Sequence, residues 1–447
     1  MYRTKRTLFL TTLISILFNF FYSASIAQDS TRFLALDAAI TATTNNNRAV
    51  QLASLDENIA AAKYKQTDAI YLPQLGISYT AFSTNNPLHA FGFKLQQKNI
   101  TQNDFNPALL NKPGASPDFT TKLELQQPII NMDLVYQRKA AAKQIEIYKY
   151  KTRRSKEFLT YEVQKAYLQL QLAYDAKKLL EEALQTAKSV YTFTNDHYLQ
   201  GLIQKSDVLN AQVQVTTVET RLAKTNSNIR NASDYLSLLM AMPAGTVYTV
   251  ENSDTIPFTE KDMPTKIDSS RSDFAAMQKG LEASALMMKA GKKKYLPKLN
   301  AFASYQLNDK KPLGFGANAY LAGVQLTWNI FTGNSTKNAI ATQNWEHHKM
   351  EWELKQQLEQ NQLELTKAYR DLSDAQFDIQ QQKLAIEQAK EALQILQNRY
   401  NQGLVNTTDV LQASTQYSQQ KFALAQALFN ANITKAYIQF LTSTTTK

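Results

Sequence analysis

The chain carries HYLQGLIQKSDVLNAQ at residues 197–212 and, 202 positions later, RYNQGLVNTTDVLQAS at residues 399–414. Eight of these sixteen positions are identical. Both copies contain Gly-Leu and, after four intervening residues, Asp-Val-Leu-x-Ala. Self-similarity at a fixed interval indicates a duplicated structural unit. We therefore expect two versions of one unit in this chain.

The repeat extends upstream of this phrase. Lys-Ala-Tyr occurs at 165–167 and at 367–369, with the same offset of 202. Tyr-Leu-Pro occurs at 71–73 and at 295–297, with an offset of 224. The first copy is therefore longer by about 22 residues between these points, which a longer loop would explain.

The repeat and the N-terminal sequence together divide the chain into four predicted segments. The first 27 residues have three positive charges, an apolar run at 8–21 and a small residue at Ala27, which is typical of a cleaved secretory signal. The apolar run is shorter than the roughly 20 residues of a retained membrane anchor. The other segments are a first repeat at 28–242, an irregular connector at 243–266 and a second repeat at 267–447.

Composition excludes several classes of function. The formal charge of +11 falls to +8 without the signal cations Arg3, Lys5 and Arg6, and basic residues alternate with acidic ones along the chain. This pattern is typical of solvated helix faces rather than of a nucleic-acid surface. The chain has no cysteine, which excludes disulfides, thiol catalysis and cysteine-zinc sites.

The residue pattern of each repeat predicts the same order of elements: helix, strand, strand, helix, helix. A helical stretch, at 33–70 and again at 272–294, stops at Tyr-Leu-Pro, because proline and the residue before it resist helix. Apolar and polar residues then alternate, as in strands with one apolar face. The predicted strands are at about 74–84, 119–127, 298–307 and 319–330, joined by a long loop at 85–118 and a short one at 308–318.

A long helical run completes each repeat. Residues 334–400 contain no glycine or proline, and part of the run has coiled-coil spacing. At about 1.5 Å per residue this helix would be roughly 100 Å long. The repeated phrase follows, with Gly201 and Gly403 as C-terminal caps and Asp207 and Asp409 as N-caps of the next helix. The phrase therefore predicts a tight helix-to-helix turn.

The four predicted strands are long enough to cross a bilayer when tilted. Four strands cannot close a barrel, and lipid cannot satisfy open sheet edges, so several chains would have to share one barrel. Two chains would supply eight strands, which leave an interior filled by side chains, and three chains would supply twelve; a conduit needs more than eight. The alternative is a small soluble sheet that caps a helical bundle.

These features together resemble the TolC-like outer membrane efflux protein family, also called outer membrane factors. The resemblance covers the whole chain after the signal peptide. It implies a mainly α fold with a transmembrane β part: a homotrimer whose 12-stranded β-barrel in the outer membrane continues as a long periplasmic α-helical barrel. The loops at 85–118 and 308–318 would lie outside the cell, and the connector at 243–266 would belong to the equatorial belt.

The resemblance also implies a function. Such proteins are passive channel-tunnels of tripartite efflux or type I secretion systems, which dock a periplasmic adaptor and an inner-membrane pump to export small molecules or polypeptides. Both repeated turns would form the periplasmic tip that meets the adaptor. The residues implied in docking are Gly201, Leu202, Val208, Leu209, Gly403, Leu404, Val410 and Leu411. For the two glycines, capping alone is the alternative.

The tip of similar proteins is narrowed by inward-facing aspartates. Asp409 matches the first carboxylate position of this gate, and Asp207 is its equivalent in the first repeat. The second carboxylate position is Gln412 here, and the position of a locking arginine is Val405. The alternative role of both aspartates is helix capping.

We expect no enzyme, cofactor or metal site. No phosphate-binding loop or nucleophile motif is present, and the histidine pair at 347–348 lies within a predicted helix without a partner motif. A periplasmic coiled-coil adaptor or scaffold without a membrane barrel is the second hypothesis. It accounts for secretion and for long hairpins, but not for the duplication or the four amphipathic strands.

Overall fold

The computed structural model describes residues 31–251 and 264–443. The signal peptide and residues 252–263 of the connector lie outside this part of the chain. The described residues form two compact units. We call them the helical unit and the sheet unit; the former comprises 31–53, 152–251, 264–271 and 358–443, the latter 54–151 and 272–357.

Helices and strands follow the duplicated order. Their bounds are β1 Thr31–Leu34, α1 Leu36–Asn46, α2 Arg48–Gln66, β2 Gln74–Thr84, α3 Pro87–Gln96, α4 Pro107–Asn111, β3 Ser116–Ile130, α5 Met132–Leu199, α6 Lys205–Leu239, β4 Val247–Val250, α7 Ser272–Lys293, β5 Lys298–Asp309, β6 Ala317–Thr327, α8 Ser335–Asn401 and α9 Thr407–Thr442. Within the described residues, no helix is both long enough and apolar enough to cross a membrane.

The expected helix at 33–70 is wrong at its beginning. Phe33 and Leu34 belong to β1, which pairs in parallel with β4 from Thr31 opposite Val247 onward. The expected irregular connector therefore contains a strand. The Leu34 carbonyl accepts a hydrogen bond from the buried Tyr167 hydroxyl at 3.0 Å, which fixes the end of β1 on α5.

The same expected helix is interrupted at Asn47. The Asn47 amide donates to the Leu239 carbonyl at 2.8 Å, and its side-chain oxygen accepts from the Ala49 backbone N–H at 2.8 Å. Asparagine readily replaces helical hydrogen bonds with such local ones. The chain therefore ends α1 and starts α2 at this residue.

Strands β2, β3, β5 and β6 form one antiparallel sheet in that order. Register places most of the apolar residues of the four strands on one face: Leu75, for example, lies opposite Leu125, and Tyr305 opposite Tyr320. The other face carries mainly Ser, Thr, Gln, Asn and charged side chains. We call them the apolar face and the polar face. The apolar face is largely exposed in the single chain.

The sheet has two open edges among the described residues, one along β2 and one along β6. The strand expected at 319–330 runs instead from Ala317 to Thr327. Its last pair joins Thr327 to Lys298, and the residue before Lys298 is a proline without a backbone N–H. β6 therefore has no ladder partner beyond Thr327.

The core of the helical unit lies where α1, α5, α6 and the β1–β4 pair meet. Leu170, Leu236 and Tyr248 are buried in this cluster. A second cluster joins α8 to α9 through Leu365, Leu372 and neighbouring residues. Small side chains, mostly alanine, recur in both clusters and let the helices approach closely.

We expect Leu236→Ala to lower the free energy of unfolding by about 2–5 kcal/mol, because the buried leucine leaves a cavity. Leu236 is 0% exposed, whereas Leu238 in the same helix is 69% exposed. Leu238→Ala is therefore the control, with a change within about 0.5 kcal/mol. Denaturant titration followed by far-UV circular dichroism measures both. Equal losses would contradict the burial pattern.

Candidate functional site

The two repeated turns adopt the same backbone conformation. Gly201 and Gly403 have φ of 74° and 75°, a left-handed conformation that glycine adopts without a Cβ clash. After each glycine, the N–H of Leu202 or Leu404 reaches five residues back, to the His197 or Arg399 carbonyl, at 2.9 Å. This is the Schellman pattern that ends a helix.

The next helices begin earlier than expected, which corrects the role of the two aspartates. Helices α6 and α9 start at Lys205 and Thr407, so Asp207 and Asp409 are third helical residues rather than N-caps. Each carboxylate accepts the backbone N–H of the residue before its helix, Gln204 or Asn406, at 3.2 Å. Each aspartate thus caps the start of its helix from the third position within that helix.

The residues expected to dock the adaptor differ in how far they are buried. Gly201, Leu202, Leu209, Gly403 and Leu404 are exposed, and Leu411 is half-buried. Val208 and Val410 are buried and cannot offer a free surface in the single chain. The leucines that follow the two glycines are therefore accessible apolar groups at the turns.

The gate residues also differ in exposure. Asp409 and Gln412 are exposed, whereas Asp207 is half-buried. Val405 packs against an apolar cluster instead of making a polar contact. The structure thus places Asp409 and Gln412 on the accessible surface of the second turn.

A core at the turns, which we call the tip cluster, joins the two hairpins within the helical unit. Val190 of α5 packs with Leu393 of α8 and Val410 of α9. Phe193 lies against the Tyr400 ring, with centroids 4.9 Å apart. The hairpins of the two repeats are therefore packed together at this end.

Tyr400 links the hairpins by hydrogen bonds as well. Its hydroxyl is 3.0 Å from the buried Thr194 hydroxyl of α5 and 2.8 Å from the Thr407 hydroxyl at the start of α9. Tyr198, at the same position of the first repeat, is exposed and makes no side-chain hydrogen bond among the described residues. The duplicated turns therefore differ in how firmly they are held.

The repeat aligns Tyr198 with Tyr400, but nothing in the sequence indicated that Tyr400 forms hydrogen bonds that Tyr198 lacks. Thr194 was missed, because a single threonine on a helix carries no sequence signal. Its bond to Tyr400 spans 206 residues and depends on how α5 packs against α8.

Within 31–251 and 264–443, no group of three or more His, Asp or Glu side chains is arranged to hold a metal ion. His348 contacts Glu351 at 2.9 Å on one exposed helix face, and His347 lies 3.5 Å from the same carboxylate. Hydrogen bonding by His348, together with the nearby histidine charges, lowers the pKa of Glu351. These are pairs along a helix surface.

Solved structures share this fold. CusC superposes with a TM-score of 0.77 at 17% identity, covering 94% of this chain and 96% of that chain. The Campylobacter jejuni CmeC outer membrane channel gives 0.74 at 16%, covering 91% and 85%. The outer membrane protein VceC from Vibrio cholerae gives 0.74 at 19%, covering 92% and 96%. The fold is therefore that of the outer membrane channels.

The model of the outer membrane efflux protein family matches residues 39–241 and 263–443. This chain belongs to that family, which confirms the resemblance found in the sequence. It is an outer membrane channel protein with a periplasmic extension, not an enzyme. No curated protein matches the chain significantly in sequence. Membership of this family favours the hypothesis of an outer membrane channel over that of a periplasmic adaptor.

We expect Tyr400→Phe to loosen the second turn, because two hydrogen bonds of about 0.5–1.5 kcal/mol each are lost. Hydrogen exchange followed by mass spectrometry should show faster exchange over residues 399–410. Tyr198→Phe is the matched control, since the same change in the first repeat removes no such bond. Similar effects of the two substitutions would show that the Tyr400 bridge does not hold the turn.

Proposed function

We propose that three copies of this chain form the outer membrane channel-tunnel of a tripartite efflux or type I secretion system. The observation that carries the proposal is the four-stranded sheet with two open edges and one exposed apolar face. Pairing β2 of one copy with β6 of the next would close twelve strands into a barrel. Its apolar face would contact lipid and its polar face would line water.

The helical hairpins would continue the conduit into the periplasm. A trimer would present six turns at its tip, each with an exposed leucine directly after a left-handed glycine. Such small protruding apolar groups suit docking by a periplasmic adaptor, which would connect the channel to an inner-membrane pump. Val208 and Val410 would support this surface from the core rather than contact the adaptor.

The second turn would also form the gate. Three copies of Asp409 near the channel axis would attract cations and repel anions. In place of a second carboxylate and a locking arginine, the chain has Gln412 and Val405. The Tyr400 bridge to Thr194 supplies a neutral contact that would hold the turn closed until the adaptor binds.

The native mass of the protein extracted from outer membranes in detergent tests the assembly. We expect the mass of three chains without the signal peptide. A monomer, or protein released without detergent, would overturn the shared barrel. The periplasmic scaffold would then be the better account.

We expect Asp409→Asn to reduce cation selectivity of the channel. The amide oxygen can still accept the Asn406 N–H, so the change removes charge while keeping the cap. In planar bilayers under a salt gradient, the reversal potential should move toward zero, because the ring of carboxylates is lost. Asp409→Glu keeps the charge and should behave as the wild type. An unchanged potential in Asp409→Asn would exclude Asp409 from the gate.

A further inference from the structure

Four helices of the sheet unit lie in the same order as its strands. Arg138 of α5 donates a hydrogen bond to the carboxylate of Asp68, which follows α2. The Lys143 ammonium of α5 lies 2.9 Å from the Glu282 carboxylate of α7. At Gly291, α7 lies so close to α8 that a Cβ would meet a side chain of that helix at 2.7 Å. The row α2, α5, α7 and α8 therefore matches β2, β3, β5 and β6.

The packing of these helices repeats with the sequence. Helix α5 corresponds to α8 at the offset of 202, and α2 corresponds to α7 at the offset of 224. Arg138 then matches Ile340, and Asp68 matches Lys292. Ile340 contacts α7 next to Lys292, because a Cβ on Gly291 would lie 3.2 Å from its side chain. The two offsets therefore apply to the packing as well as to the sequence.

The contact between α5 and α7 joins the two repeats within one copy. It consists of two ion pairs, Lys143 with Glu282 at 2.9 Å and Lys279 with Glu146 at 3.4 Å. Both lysines are half-buried in this contact. Charged side chains therefore hold the first repeat against the second, and the intervening chain keeps the two repeats together in any case.

The corresponding positions on the outer helices of the row carry no ion pair. The matching residues are Trp345 for Lys143, His348 for Glu146, Leu55 for Lys279 and Asn58 for Glu282. Trp345 is 71% and Leu55 is 54% exposed. Two positions that are half-buried inside one copy are thus open at the two ends of the row, and both have become apolar.

The strand order indicates what covers these two ends. In the trimer proposed above, β6 of one copy lies beside β2 of the next, as β3 lies beside β5 within one copy. Helix α8 would then lie beside α2 of the next copy, as α5 lies beside α7. We propose that Trp345 of each copy packs against Leu55 and Ile59 of the next copy and anchors the helices of the assembly there. The inference rests on the trimeric barrel proposed above.

The match to the contact within one copy also fixes the level of Trp345. Because Lys143 lies opposite Glu282, Trp345 would lie opposite Asn58. Four exposed residues surround a hollow at this level of α2: Leu55, Asn58, Ile59 and Ala62. Residues spaced in this way form the hole that receives one large side chain of a neighbouring helix. Ala60, by contrast, is 2% exposed and faces the interior of its own copy.

An apolar anchor suits a contact that no covalent chain supports. This part of α2 and α8 would lie beyond the strands, outside the hydrocarbon, so burying Trp345 removes apolar surface from water. Exposed ion pairs like those between α5 and α7 contribute little to stability. Tryptophan, in contrast, is prominent among the residues that hold protein interfaces together. The helices would thereby add to the contact that the strand edges make through hydrogen bonds.

Chemical linking of introduced cysteines tests the contact. The chain has no cysteine, so in Trp345→Cys combined with Asn58→Cys or Ile59→Cys only the introduced thiols react. A short bis-maleimide added to the protein in detergent should join neighbouring copies and give linked dimers and trimers on a denaturing gel. Trp345→Cys with Lys65→Cys is the control, because Lys65 is exposed seven residues, or about 10 Å, further along α2. Equal linking in the control would contradict the register.

Replacing the apolar contact by an ion pair gives a second readout. Trp345→Lys should lower the temperature at which the trimer separates into single chains, because it places a charge against apolar side chains of the next copy. Adding Asn58→Glu recreates the Lys143–Glu282 contact between copies and should raise this temperature again, at low salt more than at high salt. Trp345→Lys with Asn58→Lys is the matched control and should give no recovery, because like charges repel.

The outcomes separate this inference from the assembly on which it rests. A monomer in detergent would overturn both. A trimer in which Trp345→Cys links neither Asn58→Cys nor Ile59→Cys, although Lys143→Cys and Glu282→Cys are linked within one copy, would overturn the Trp345 contact alone. So would a Trp345→Lys trimer that separates at the wild-type temperature. Links between copies through the matched pairs, with recovery by Asn58→Glu, would support it.

Discussion

A strand bordered by lipid has to pair every backbone N–H and C=O group, because hydrocarbon offers neither donors nor acceptors. In this chain, β2 and β6 each leave one edge of the sheet unpaired. An exposed apolar face on the same sheet makes water equally unsuitable. The barrel shared between copies that we propose would solve both problems. In that proposal, pairing between the sheet edges holds the copies together.

Sequence reasoning succeeded where the signal is local. The change from helical to alternating apolar spacing after each Tyr-Leu-Pro located β2 and β5, and glycine in the repeated phrase located both turns. Each of these features depends on a few consecutive residues. Duplication strengthened them, because a weak pattern that occurs twice at matching positions is hard to attribute to chance. The element order of the fold and the family followed from these signals.

Features that depend on distant partners could not be predicted. The pairing of β1 with β4 joins residues more than two hundred positions apart, and four-residue strands have no clear period. Residues 85–118 were expected to form a loop, yet they contain α3 and α4, and Asp118 binds Gln97 and Asn308 and so places α3 on the polar face. Likewise, only the packing of α5 against α8 distinguishes Tyr400 from Tyr198. In each case the partner, rather than the residue itself, determines the role.

The β1–β4 pair also constrains the order in which the chain can fold. β1 lies almost at the beginning of the described chain, and its partner is synthesised only after the whole first hairpin. Closing so long a loop is slow unless the intervening segment has already become compact. Formation of the α5–α6 hairpin before the strands pair would shorten this loop closure, and β1 has no partner until β4 has been synthesised. In an exported chain, this short parallel pair can therefore form only after the whole first repeat has been synthesised.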